Sequence, residues 1–94
     1  MDNLPKYQDL ILPMLKVLSR AGGPMTNEAI ETAIVADLAI PNSLKTMIHS
    51  GKRTELQYRL AWARTKAKSM GWVSSPSREK WCITNQGFSS ITLD

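Results

Sequence analysis

The chain has one cysteine and one histidine, and it has no run of apolar residues long enough to cross a bilayer. A lone cysteine cannot form an internal disulfide, as is typical of proteins in a reducing, cytoplasmic compartment. A membrane span would need about 18 consecutive apolar residues, so no membrane association is expected. His49 and Cys82 are too few for a zinc site, which takes four protein ligands, or three and an open position. These absences favour a soluble protein without a bound metal.

The sequence also offers no catalytic constellation. There is no Gly-rich phosphate loop, and a single histidine gives no convincing Ser-His-Asp arrangement. Glu28 and Glu31, one helical turn apart, are explained by helix-start and surface charge rather than by acid–base chemistry. The opening residues MDNLPKYQDL lack the basic start and apolar block of a targeting peptide. We therefore predict no catalytic residue and no cofactor, so any enzymatic step would belong to another domain or chain.

What the chain does have is an uneven distribution of charge. Its 94 residues suit one small domain, 1–94, with a single core. Residues 1–40 carry three basic and five acidic side chains, a net charge of −2, whereas residues 41–94 carry nine basic and three acidic ones, a net charge of +6. Such a two-sided distribution is expected of a protein that presents one face to a polyanion.

Two helices and a short turn are predicted in the first half of the chain. Apolar residues recur at helical spacing over residues 7–21, where a Gly-Gly-Pro sequence ends the pattern. A second helix begins at an N-cap supplied by Thr26 or Asn27 and carries an apolar stripe up to Pro41. Residues 41–43 are expected to open a short helical turn around Leu44, Met47 and Ile48, which residues 49–51 end.

The predicted third helix, about Thr54 to Met70, is the most basic part of the chain. Seven of the twenty charged side chains lie in residues 51–72, and six of them are basic. One apolar stripe recurs at about 100° per residue and is expected to face the core: Leu56, Leu60, Ala63, Ala67 and Met70. A helix that only covered a core would mix both signs of charge on its exposed face. The opposite face is therefore expected to bind a polyanion.

A β-hairpin is predicted after the third helix. Residues 72–74 and 80–83 read as two short strands, residues 75–79 as the turn between them, and residues 84–87 as a last helical turn. The fold class is thus α+β and mainly helical: a winged helix-turn-helix of three helices and a two-stranded wing. In such a fold the third helix enters the major groove of DNA and the wing lies along the phosphates.

Four segments carry a resemblance to a known family: YQDLILPMLKVLS at 7–19, SGKRT at 50–54, RLAWARTKAKSMGW at 59–72 and SPSREKWCITNQG at 75–87. They resemble the N-terminal winged-helix domain of Mrr-type restriction systems. The resemblance implies a module that binds double-stranded DNA and that is often joined to a nuclease domain, with some relatives acting on modified DNA. Glu79 replaces the family's wing-tip glycine and Cys82 a basic residue, which lowers the positive charge of the wing.

Twelve residues are predicted to contact DNA, the cations mainly at phosphates and the others at bases. They are Lys52, Arg53, Thr54, Gln57, Tyr58, Ala61, Arg64, Thr65, Lys66, Lys68, Arg78 and Lys80. The base-reading candidates among them are Thr54, Gln57, Tyr58, Ala61 and Thr65. Arg59 and Arg64 have an alternative role in ion pairs with acids of the first two helices. Trp62 is expected to pack at the core edge rather than to stack on a nucleotide, and Trp72 and Trp81 to pack against the helices.

Three function classes stay open at this stage. The first is a DNA-binding module that targets a restriction-type nuclease, with modified cytosine as a candidate ligand and a nuclease domain or subunit as a candidate partner. The second is a protein-interaction winged helix that binds a partner subunit through the same helix face and the wing. The third is an enzyme, for which the sequence offers no site. Self-association into a homodimer also stays open.

Overall fold

Residues 4–92 are described by a computed structural model, and they form five helices and five short strands. In chain order these are α1 Tyr7–Ala21, β1 Met25–Thr26, α2 Asn27–Asp37, α3 Asn42–Lys45, β2 Ile48–Ser50, β3 Arg53–Thr54, α4 Glu55–Ser69, β4 Val73–Ser77, β5 Lys80–Ile83 and α5 Asn85–Thr92. The fold is α+β and mainly helical, as the sequence predicts. Within the described range no helix is both long and apolar enough to cross a bilayer.

The core lies where α1, α2 and α4 meet. α1 has the predicted bounds and ends at Gly22, whose φ of 69° suits the left-handed residue that terminates many helices. The largest fully buried side chains all come from these three helices: Leu10, Met14, Leu15, Leu18, Ile30, Ile34, Leu56 and Leu60. Each is one of the apolar residues that recur at helical spacing, so the amphipathic pattern is what assembles the core.

A three-stranded antiparallel sheet covers one end of the helices, with strand order β1-β5-β4. Met25 pairs with Trp81, and Val73 pairs with Ile83. The predicted hairpin is therefore present, but it has gained a third strand, β1. Because β1 has only two residues, it shows no alternation that could be recognised in the sequence.

A second hairpin, β2–β3, replaces part of the predicted helical turn. α3 ends at Lys45, and Ile48 pairs with Thr54 in a two-stranded sheet. Its turn passes through Gly51 at a φ of 52°, a conformation that glycine adopts without strain. The side chain of Ile48 is 58% exposed, so the apolar spacing that suggested a helix there reflects no buried face.

α4 is the predicted third helix, and four of the five residues in its expected core stripe are buried. They are Leu56, Leu60, Ala63 and Ala67. The fifth, Met70, was wrongly placed in the core and is 43% exposed. Met70 is the C-cap of the helix, and the chain turns away at Gly71 with a φ of 79°. Met70 keeps helical backbone angles, but the helix ends there, so its side chain lies beyond the packed part of the stripe.

α5 extends the predicted last turn into an eight-residue helix. It packs closely on the residue that precedes β4, because a Cβ atom added to Gly87 would lie 2.1 Å from the carbonyl oxygen of Trp72. The Gly87 amide donates a hydrogen bond to the Thr84 hydroxyl at 3.0 Å. Only glycine fits at this contact without a shift of the backbone.

Gly87→Ala is expected to destabilise the protein by about 1–3 kcal/mol, the usual cost of forcing extra atoms into a packed site. Chemical unfolding followed by circular dichroism would measure the change. Gly23→Ala is the matched control, since a Cβ atom at Gly23 would meet nothing within 4 Å. Equal unfolding midpoints for the two variants would show that α5 does not depend on this contact.

Candidate nucleic-acid interface

The face of α4 opposite the core is open to solvent and basic. Lys66, Lys68 and Thr65 are exposed, while Ala61 and Arg64 are half-buried at its borders. The hairpin β2–β3, immediately before α4, adds the exposed cations Lys52 and Arg53. Since β3 leads directly into α4, the predicted DNA contacts of the hairpin and of the helix follow one another along the chain without a break.

The first turn of α4 is fixed by two of the predicted base readers. The backbone N–H of Gln57 donates to the Thr54 hydroxyl at 3.1 Å, and the backbone N–H of Thr54 donates to Oε1 of Gln57 at 3.0 Å. This reciprocal capping box satisfies two amide groups that the helix itself leaves unpaired. Nε2 of Gln57 also donates to Glu31 on α2 at 3.4 Å. Thr54 and Gln57 therefore have a structural role that the sequence analysis did not assign.

Tyr58, in the first half of α4, contacts both strands of the β2–β3 hairpin. Its ring stacks on His49, with 3.8 Å between the ring centroids and 14° between the planes. The guanidinium of Arg53 lies over the Tyr58 ring at 5.8 Å from its centroid. These contacts orient a partly exposed tyrosine and place a cation beside it.

Glu55 connects this hairpin to the N-terminal segment. Its carboxylate accepts a hydrogen bond from Nε of Arg59 at 2.8 Å and lies 2.8 Å from Nδ1 of His49. Arg59 Nη1 donates to the carbonyls of Leu4 and Pro5. Arg59 is thus structural, although its acidic partner belongs to α4 and not to the first two helices. Hydrogen bonding by Arg59, and next by His49, lowers the pKa of Glu55.

Arg64 and Lys68 extend from α4 over the sheet. The guanidinium of Arg64 lies 5.7 Å, and Nζ of Lys68 5.9 Å, from the centroid of the Trp81 ring. Nε1 of Trp81 donates to Asn27 at 2.7 Å, which fixes the ring beneath the two cations. Burial, followed by the nearby charge of Arg53, lowers the pKa of Arg64. Arg64 makes no ion pair with another described residue, and its charge is held between α4 and the wing.

The tip of the β4–β5 hairpin, the predicted wing, presents two exposed cations with an acid between them. Arg78 and Lys80 are exposed on either side of Glu79, whose φ is 60°. A side chain at positive φ is strained, which explains why glycine suits this position better. Cys82 lies further down β5, with its sulfur 3.2 Å from the Ser74 hydroxyl. The predicted wing contacts are therefore accessible but less positive than they would be without Glu79.

Trp62 is a surface residue, contrary to the expectation that it would be mostly buried. It is 48% exposed, and its ring centroid lies 6.3 Å from that of Tyr7 on α1. The Tyr58 ring meets it edge-on at 6.5 Å and 79°. Its position on the flank of the apolar stripe was visible in the sequence, but the small area of α1 that covers it was not. Trp72 and Trp81 are partly buried against the core, as predicted.

A shallow hollow of about 280 Å³ opens on the outer side of α4. It is lined by Arg53, Tyr58, Ala61, Trp62 and Thr65. Four of these five were predicted to contact DNA, and Trp62 is the addition that the structure makes. The position of Trp62 beside the apolar stripe favoured packing at the core edge, so it was not among the predicted DNA contacts.

The family described as the Mrr N-terminal domain matches residues 7–92, which include every helix and strand from α1 to α5. The chain belongs to this family. A curated relative, the Type IV methyl-directed restriction enzyme EcoKMrr of Escherichia coli (strain K12), is 27% identical over 85 residues, or 90% of this chain. The chain spans 28% of the length of that relative. No solved structure gives a significant match. The family resemblance read from the sequence is thereby confirmed.

The Glu55 network of this Mrr N-terminal domain predicts a specific acid sensitivity. Because the folded-state pKa of Glu55 is lowered, its ionised form stabilises the fold above the ordinary carboxyl value. That stability is lost as the pH falls through the lowered pKa. Glu55→Gln should therefore lose less stability than the wild type between about pH 7 and about pH 3. Urea unfolding at a series of pH values measures this difference.

Glu28→Gln is the matched control for Glu55→Gln. Glu28 is exposed in the first turn of α2 and has no ion pair with a described residue. The control should retain the acid sensitivity of the wild type. If both variants follow the wild-type profile, the His49–Glu55–Arg59 contacts contribute nothing to folding.

Proposed function

We propose that this domain is a winged-helix module that binds double-stranded DNA and targets a restriction-type nuclease system. The observation that carries the proposal is the exposed basic face of α4, which is held rigidly between the β2–β3 hairpin and the sheet. Lysine and arginine neutralise phosphates and release their counterions, which supplies affinity without regard to sequence. Membership of a restriction family agrees with a DNA ligand.

The arrangement of elements supports a winged helix. β1 follows α1, and β4 and β5 follow α4 as an antiparallel hairpin whose second strand pairs with β1. The hairpin joins directly to the end of α4 through Gly71 and Trp72. With α4 in the major groove, the exposed Arg78 and Lys80 of the wing reach toward the adjacent backbone.

Base reading is proposed for the middle of α4 more than for its first turn. The Thr65 hydroxyl donates to the Ala61 carbonyl at 3.0 Å, so its hydrogen is engaged. The methyl groups of both residues, and the Thr65 oxygen as an acceptor, remain for a base. Tyr58 adds an aromatic edge one turn earlier. Thr54 retains its hydroxyl hydrogen as a donor, whereas the amide of Gln57 is already engaged on both atoms.

A protein-binding role is less well supported by the same geometry. That role would need exposed apolar side chains on the wing, but Trp81 is hydrogen-bonded to Asn27 and covered by Arg64 and Lys68. The exposed residues of the hairpin are polar or charged apart from one proline: Ser74, Pro76, Ser77, Arg78, Glu79 and Lys80. A face of this kind suits a polyanion better than an apolar partner surface.

Strand cleavage is assigned to a separate nuclease domain or subunit. The relative is described as a restriction enzyme, and the present chain corresponds to 28% of its length. A cytoplasmic location, where the DNA target resides, is part of the same proposal. Association into a homodimer would double the number of phosphate contacts, and sedimentation of the free and DNA-bound domain would detect it.

The salt dependence of duplex binding tests the main proposal. If about four or five phosphates are neutralised, the slope of log affinity against log salt concentration should be about −4. Fluorescence anisotropy with a labelled duplex, at several salt concentrations, measures the slope. A flat response would exclude phosphate-driven binding and so remove the basis of the proposal.

Lys66→Ala and Lys68→Ala should each weaken binding to all duplexes alike and reduce the salt slope by about 1. Lys16→Ala removes the same charge from an exposed position on α1 and serves as the control. It should leave both quantities close to those of the wild type. An equal loss in all three variants would indicate a general charge effect and no defined interface on α4.

Modified cytosine is the candidate ligand within this proposal, supported by the outward methyl groups of Ala61 and Thr65. A cytosine methyl group projects into the major groove, where apolar contact can register it. Burial of one such group is worth about 0.8 kcal/mol, so binding to a modified duplex should be tighter by about fourfold. Competition between plain and cytosine-methylated duplexes in several sequence contexts would measure this. Equal affinities would leave the choice of modified target to another domain.

A further inference from the structure

Trp62 belongs neither to the core nor to the apolar residues packed against it. Nearly half of the side chain faces water, and its indole N–H has no acceptor within residues 4–92. Yet the ring is not loosely attached, because Tyr7 supports it from α1 and Tyr58 meets it edge-on. An ordered, exposed indole on a basic surface is a common platform for stacking a nucleobase.

Trp62 and Tyr58 together form two walls of the hollow on α4. Their planes are 79° apart, so the two rings make a corner rather than a parallel slot. The small side chains of Ala61 and Thr65 leave space beside them, and Arg53 borders the opening. Tyr58 is held in place by the stacked ring of His49. The corner is therefore preformed, and it offers a ligand the aromatic rings of Trp62 and Tyr58 and the guanidinium of Arg53.

The hollow is an open depression, and its volume of about 280 Å³ gives room for one planar group beside the indole. The Arg53 guanidinium has no carboxylate partner among the described residues and can donate to the polar edge of a base.

We propose that this hollow is a nucleobase subsite, which takes a base that has left the stack of the duplex and places it on Trp62. The proposal rests on the function proposed above, in which α4 lies in the major groove. A base extruded on that side would enter the corner with its plane against the indole and its polar edge toward Arg53. Extrusion costs least where the base is unpaired, so such duplexes bind more tightly than paired ones.

The test compares two short duplexes that differ at one position. One is fully paired, and the other has an abasic residue opposite one base, which leaves that base without a partner. At a salt concentration of about 0.2 M, which suppresses nonspecific binding, the wild type should bind the second duplex at least about tenfold more tightly. Trp62→Ala should abolish this preference, and Trp62→Phe should retain part of it because a ring remains.

Phe88→Ala is the matched control. Phe88 is a 51% exposed aromatic residue on α5, outside the hollow, and its removal should leave the preference intact. Circular dichroism melting of each variant checks that the fold is kept. A second readout uses Trp72→Phe with Trp81→Phe, so that Trp62 is the remaining tryptophan. Its fluorescence should be quenched more by the unpaired-base duplex than by the paired one.

The outcomes separate this inference from the proposed function. Equal affinity of the wild type for the two duplexes, with a steep salt dependence for both, overturns the subsite and leaves duplex binding in place. A preference that persists in Trp62→Ala also overturns the subsite. Absence of binding to either duplex at low salt overturns the proposed function itself.

Discussion

The burial of one stripe of α4 determines how every other residue of that helix is presented. Leu56, Leu60, Ala63 and Ala67 are fully buried against α1 and α2. Since consecutive residues are about 100° apart, fixing these four fixes the direction of all the rest. A rotation of the helix by one residue would bring charged side chains into the core. The exposure of the basic face is thus a consequence of core packing and needs no separate interaction.

Polar contacts then set the ends of the helix. The capping box of Thr54 and Gln57 determines where α4 begins, and the Glu55 carboxylate connects that turn to His49 and Arg59. In the second half of the helix, Arg64 and Lys68 lie over the Trp81 ring. Several basic side chains are therefore ordered by the protein itself. Ordering them before any ligand arrives reduces the entropy that binding must later overcome.

Much of the fold could be predicted because it depends on local pattern. The bounds of α1, the buried stripe of α4 and the β4–β5 hairpin all follow from helical periodicity, glycine positions and strand composition. The missed elements are those without such a signal. β1 and β3 have two residues each, and Met70 keeps the helical spacing although it is the last residue before the chain turns away at Gly71. No period can be recognised over two residues, and periodicity does not mark where a helix ends.

By itself, the sequence determined the family, the division of charge and the set of residues that can lie on one face of α4. Only the tertiary structure decided which of these side chains already bond to other parts of the protein. Gln57 donates a hydrogen bond to Glu31, Arg59 to the carbonyl of Leu4, and Trp81 to Asn27. The two residues of each pair are more than 20 positions apart in the chain. The same packing left Trp62 exposed, because Tyr7 covers only one part of its ring. Spacing along a helix fixes direction, whereas a hydrogen-bond partner from a distant segment depends on how the elements pack together.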